Sequence, residues 1–284
     1  MSEEDDIGAL VAGFTVPSQP KLIIDIEQVY PDIDKIAQVV QHDQGVAAAI
    51  LRAVNSPHFA LKTRVQNIPQ AVALLGLSRL MAVVNAVLVR SMVQQPDIYR
   101  QLDIFWNATD ECCLAAMLLQ QKTKIGDPDQ VYLAGLFHNC AIPILLCRHP
   151  EYFQFLGDAC RQEDMPVAVY EENLLGTDHS ALGYLVAHAW RLPGPVCEVV
   201  RDHHDLNQIR SYLAQPELPS AQLMALLLAA QHISSETPAI GKGADDAEWF
   251  FVADDMCSLL GLSPSDFADA AEDIQEQILA NRHA

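Results

Sequence analysis

The sequence predicts an all-α protein arranged as two helical lobes. Three observations carry this. Apolar residues recur at helical spacing: Ile33, Ile36, Val39 and Val40 fall on one face. Helix-starting residues stand before apolar runs at Ser78, at Asp127 followed by Pro128, and at Asp178. No stretch shows the apolar–polar alternation of a half-buried strand, and there is no fixed-period repeat.

Residues 1–19 read as a loose leader closed by Pro17 and Pro20. Residues 22–30 form a first helix. Pro31 then stands where a second begins, since proline is tolerated at the first helical position. Residues 45–54 are small and apolar and stop at Asn55-Ser56-Pro57, where proline cannot continue a helix. Residues 68–75 are ended by Gly76, a good left-handed terminator. Ser78 caps residues 79–92, which are apolar almost all round and so central to their lobe. The polar stretch 94–103, with Pro96, separates an N-terminal lobe at 20–100 from a second lobe at 101–235.

In the second lobe, residues 105–122 form a long helix, and Asp127-Pro128 opens the helix that runs into His138-Asn139. Residues 142–175 hold two or three shorter helices. Thr177 or Asp178 caps a helix over 179–190, which Pro193-Gly194-Pro195 breaks. Residues 196–204 follow, then a strongly apolar helix at 221–234. Pro238, Gly241 and Gly243 mark 235–246 as a loop, and helices at 247–260 and 264–280 form a C-terminal extension, 236–284, packed on the second lobe.

Half of the 284 residues are hydrophobic, enough for a sizeable core, and the net charge is −20 with a pI near 4.6. That balance opposes binding to nucleic acid or anionic lipid, and no basic stripe with interleaved aromatics offsets it. The acidic N-terminus lacks the basic region of a signal peptide, and no uncharged apolar run reaches the ~18 residues of a membrane span. Seven cysteines without a C-x-x-C pair argue against a disulfide framework and a zinc knuckle. They read as core thiols of a cytoplasmic protein.

The chain is organised around Ala134-Gly135-Leu136-Phe137-His138-Asn139, where an apolar helix meets a polar pair and a second apolar run, 141–147, follows at once. A polar pair between buried runs must be hydrogen-bonded or liganded, or it is costly. In chain order stand Phe105-Trp106, His138-Asn139, Asp178-His179 and His203-His204, with Asn55-Ser56 and the run 71–76 upstream. In order and spacing this set resembles the HDOD family, a helical relative of the HD and HD-GYP metal-dependent phosphohydrolases, over residues 20–235. The resemblance implies an HD-like helical bundle in the second lobe and a role in bacterial signal transduction.

In the catalytic HD relatives an early His, the His-Asp pair and a late Asp hold divalent metal, which activates water and polarises a phosphoryl oxygen. Position by position, the resemblance places the early His at Ala108, the pair at His138 and Asn139, and the late Asp at Gln231, with His232 adjacent. Three of the four ligands are then replaced, and the two carboxylates that would offset a dication's dehydration are gone. Asp178, His179, His203 and His204 are further candidates for a cleft between the lobes.

Each residue also has a plain structural reading. His138 is a hydrogen-bonder at a helix end, Asn139 a C-cap or hydrogen-bond hub, His179 part of a helix start, and His203-His204 a pair favoured by a helix C-terminus. Cys140 is an activated thiol or a buried inert one. No nucleophile elbow or phosphate-binding glycine loop occurs.

The expected function is a non-catalytic regulatory module binding a protein partner or small ligand at the degenerate site, without a cofactor. The alternative is a metal-dependent phosphohydrolase with a His-rich ligand set. On that reading His138, His179 and His203 would hold one divalent transition metal. Gly135 and Gly183, inside apolar helices, are expected to permit close packing around the histidines.

Overall fold

Asp32, Asp43, Asn67, Asp127, Asp178 and Asp205 begin helices for one reason. The side-chain oxygen of each accepts from a first-turn amide that has no partner inside its helix. The computed structural model describes residues 14, 16–55, 64–93, 95–160, 165–234 and 247–282. Among these there is no strand. The expected loop at 235–246, Ser56 and most of the leader lie outside them.

The chain divides into two units, 17–94 and the remainder, so the division falls a few residues before the expected 100–101. The first unit holds α1 (Lys21–Val29), α2 (Ile33–Gln41), α3 (Gln44–Val54) and α4 (Ile68–Ser91). Ile23, Ile26, Ile36, Val40, Ile50, Val54, Val72 and Val83 form its core. Pro31 does not start the second helix; Asp32 caps it from one residue further on and bonds the Lys35 amide. Gly76, at φ 73° and ψ 177°, is non-helical and ends a first helical segment as expected; a second starts at once, so α4 is two helices joined across a kink, and Ser78 lies inside the second. Asn55 caps α3 and ties its end to Val65. Its Nδ2 donates to Leu51 O at 2.7 Å and Val65 O at 2.9 Å, and its Oδ1 accepts from the Val65 amide at 2.8 Å.

The second unit opens with a tight turn at Pro96–Ile98 and continues directly into α5 (Tyr99–Thr123). That helix begins inside the stretch expected to separate the lobes, because Ile98, Leu102 and Phe105 are buried on its inner face. Then come α6 (Pro128–Phe137), α7 (Ile142–Arg148), α8 (Tyr152–Cys160), α9 (Val167–Leu175), α10 (His179–Ala189), α11 (Gly194–Asp202), α12 (Leu206–Leu213), α13 (Pro219–Ser234), α14 (Ala247–Leu259) and α15 (Pro264–Arg282). Helix α12 has no counterpart in the sequence reading. The apolar α13 is the central rod, packing on α5, α6, α11 and the closing helices α14 and α15.

Two helical stretches, Ile68–Ser91 and Pro128–Arg148, are long and apolar enough to cross a membrane by length and composition. Buried shares of 56% and 78% account for their composition as helix core.

Candidate functional site

Helix ends carry the site. An α-helix leaves its last carbonyls without partners, and a histidine just past the end can reach back to one. His138, at the end of α6, places Nδ1 2.8 Å from Gly135 O. His203, at the end of α11, places Nδ1 2.9 Å from Val200 O. A carbonyl oxygen only accepts, so in both rings the Nδ1 proton is fixed by this bond. His179 enters from the other polarity as the first residue of α10, behind its cap Asp178. His138, His179, His203 and His204 are all buried, none more than 4% exposed.

Two glycines let these helix ends approach. A Cβ on Gly135 would lie 3.2 Å from Cys113 Cα and Sγ on α5. A Cβ on Gly183 would lie 3.1 Å from Val200 Cγ1 and 3.8 Å from the carbonyl of His138.

The ring of His179 is held by a residue the sequence reading did not single out. Nδ1 of His179 is 2.6 Å from Glu171 Oε2, and the same oxygen accepts from the His179 amide at 3.0 Å. The Tyr152 hydroxyl donates to the other oxygen, Oε1. Burial alone would raise the carboxyl of Glu171. The charge and hydrogen bonds of His179, with the bond from Tyr152, outweigh it and hold the group below the ordinary carboxylate range. The one local signal was that Glu171 follows Val167 by four residues, which places a carboxylate on the buried face of α9. Tyr152 and His179, 19 and 8 residues away, gave none.

Nε2 of His179 and Nε2 of His203 face one another at 3.3 Å. Two lone pairs do not meet at that distance in a dry interior; one nitrogen carries a proton, or both point at a cation. Burial first, then the neighbouring His204, His179 and His138, keep His203 neutral well below the usual imidazole range. Nδ1 of His203 donates to Val200 O, so its Nε2 accepts, and without an ion the proton between the two rings sits on His179 Nε2. His204 adds a third ring, with centroids 4.9 Å from His179 and 4.3 Å from His203. One ligand atom from each of His179, His203 and His204 lies within 4.8 Å of the others. His138 stands edge-on to His203, centroids 5.5 Å apart, outside that group of three.

These residues fit a borderline transition metal. Two imidazole nitrogens about 2.0–2.1 Å from one tetrahedral ion are about 3.3–3.4 Å apart, and the His179–His203 pair shows 3.3 Å. The donors are nitrogen, which suits Zn²⁺, Ni²⁺ or Co²⁺ and not Mg²⁺ or Ca²⁺. A half-buried clamp fixes the end of α11. Arg201 grips Asp202 through Nε at 2.8 Å and Nη2 at 2.9 Å, and Tyr212 donates to Asp202 at 2.6 Å. Cys140 is fully buried beside Gly183 O, and burial pushes its thiol far up, so it is the inert alternative and no nucleophile.

The HDOD domain pattern matches residues 16–206. The chain belongs to the HDOD family. An HDOD protein of unknown function from Geobacter sulfurreducens is 21% identical, with a TM-score of 0.67 over 100% of this chain and 98% of that one. A candidate phosphohydrolase from Shewanella amazonensis SB2B is 22% identical, with a TM-score of 0.65 over 92% and 90%. At such identities the likeness shows the fold alone. An uncharacterised Treponema pallidum protein is 26% identical over 198 residues, 67% of this chain; the match spans 38% of that longer protein.

The remaining site candidates can be placed on this HDOD fold. Ala108 and Gln231 stand on α5 and α13, two helices that pack together. Gln231 is buried and its Oε1 has no hydrogen-bond partner among the described residues. Its neighbour His232 stacks on Trp249 of α14, ring centroids 4.9 Å apart, so His232 is engaged by the closing helices. Asn139 lies just past α6, whose C-cap is His138. Its Oδ1 is also without a partner among the described residues, and His138, not Asn139, is the C-cap.

Proposed function

We propose that this HDOD chain is a regulatory module that binds a protein partner or a small ligand around its degenerate HD site and does not hydrolyse phosphoesters. One observation carries the reading: the positions that the resemblance pairs with the metal ligands of the HD relatives hold Ala108, Asn139 and Gln231, none of which offers a charge. Burial of the histidines supports it, since a phosphohydrolase must admit both an ester and water to its ions. A protein of this fold from Marinobacter aquaeolei VT8, 19% identical with a TM-score of 0.64, is described as a candidate signal transduction protein. The proposal brings that class of role to this chain. Six free cysteines among the described residues fit a reducing cytoplasm.

The test rebuilds the lost ligands. In a folded Ala108→His, Asn139→Asp, Gln231→Asp variant, Mn²⁺ affinity rises by orders of magnitude, because ligand number and charge set it. A folded variant that binds no more Mn²⁺ than the wild type would mean that the three positions do not share a site.

A second reading has its own observation. The opposed Nε2 atoms of His179 and His203, with His204 beside them, favour one bound transition-metal ion. Such an ion would supply Lewis acidity or a structural brace. Under the enzyme alternative, a metal-dependent phosphohydrolase with a His-rich ligand set, it would have to serve an ester as well.

A further inference from the structure

We infer that Glu171 is the positioning residue and the counter-charge of a transition-metal site formed by His179, His203 and His204. The inference rests on the metal reading above and names what makes a cluster of neutral ligands able to hold a dication.

A metal bound only by imidazoles in a dry interior lacks the negative charge that direct carboxylate ligands provide. Glu171 places a carboxylate one ring away. It cannot itself turn to the ion, because both oxygens are taken: Oε1 by the Tyr152 hydroxyl, Oε2 by the amide and Nδ1 of His179. Its influence therefore passes through the His179 ring. The Nδ1–H bond fixes which nitrogen is protonated, turns Nε2 toward His203, and makes that Nε2 a stronger donor. The carboxylate is 1% exposed, so water does not screen it. The helix-capping bond to the His179 amide gives the same residue a purely structural duty, and the test must separate the two.

Co²⁺ is titrated into the metal-free full chain, with Zn²⁺ competing against a chelating dye as a second probe. The wild type is expected to bind one ion per chain. Glu171→Gln, which keeps the shape and removes the charge, is expected to bind about 10–100-fold more weakly. His203→Gln is expected to lose binding. A folded Glu171→Gln protein that binds as tightly as the wild type overturns the inference and leaves the metal reading standing. A wild type that binds neither ion overturns both. Should Glu171→Gln fail to fold, nitrogen-15 NMR of the wild type decides. On Zn²⁺ addition, His179 is expected to keep its hydrogen-bonded Nδ1 proton while the Nε2 resonance shifts; loss of that proton, or a shift at Nδ1 instead, overturns the inference.

Discussion

Replacing Gly135 with leucine probes how closely the helices must approach to present His138. Glycine inside a helix costs about 1 kcal/mol relative to alanine, so a side chain there begins with a local gain. Against it, the new Cβ would stand 3.2 Å from Cys113 Cα, a backbone atom of α5 that cannot turn aside. The further carbons of leucine have no space in a buried helix pair, and overpacking costs about 1–3 kcal/mol, at times more. The helices must part, and Gly135 O, which accepts from His138 Nδ1, moves with them. We expect a net loss of about 2 kcal/mol, the upper end of that cost less the gain, because backbone and not a side chain must yield. At about 2–4 °C per kcal/mol for a unit of this size, Tm falls by about 4–8 °C. Gly183→Ala is the milder comparison: its Cβ would stand 3.1 Å from Val200 Cγ1, a side-chain and not a backbone atom, so its Tm should fall by less. Calorimetry or thermal circular dichroism reads both. A Gly135→Leu protein melting at the wild-type temperature would refute the packing argument.

Asn55→Ala removes three hydrogen bonds around Leu51 and Val65 and should cost about 2–3 kcal/mol at about 1 kcal/mol per bond, read by urea unfolding; a loss under about 0.5 kcal/mol would show that the bonds are dispensable. Acid should destabilise the chain from near neutrality. His203 is held neutral below its ordinary 6.5, so the unfolded chain binds that proton more readily and stability rises with pH across the window under 6.5. The depressed carboxyl of Glu171 adds stability above its ordinary 4.5 that is lost as pH falls through its folded value. A stability curve flat from pH 7 to about 5 would contradict the His203 assignment, and one that loses nothing further below about 4.5 would contradict that of Glu171. Native-state maleimide labelling should leave Cys140 untouched until the chain unfolds, because its thiol is buried and held protonated; rapid labelling of Cys140 would overturn that.

What could be read in the sequence is what is decided locally. Asp127-Pro128 and Asp178 announce helix starts because capping needs only the next two or three amides. Gly76 announces a positive φ because other residues rarely adopt one, and the first helix does end there; that a second starts at once depends on packing. Pro31 does not open the second helix because its neighbour Asp32 is the better cap. Helix α12 was missed although Asp205 caps it and Ile209 is buried, since the stretch is otherwise polar. At the site, the histidines stood out by residue type. Glu171 did not, because its meaning comes from Tyr152 on α8 and His179 on α10. Pairing among α8, α9 and α10 has no local signature beyond one carboxylate at an apolar spacing.

The central claim, a site that binds without hydrolysing, is tested most directly by phosphoesterase assay of the purified wild-type chain. Generic phosphomonoesters and cyclic dinucleotides are supplied with Mn²⁺, Mg²⁺ or Zn²⁺ in turn. We predict no turnover above the protein-free blank with any ion, because Ala108, Asn139 and Gln231 supply none of the carboxylate or imidazole groups that the HD relatives use. Metal-dependent turnover that disappears in His179→Gln and His203→Gln proteins would contradict it and make the chain a phosphohydrolase.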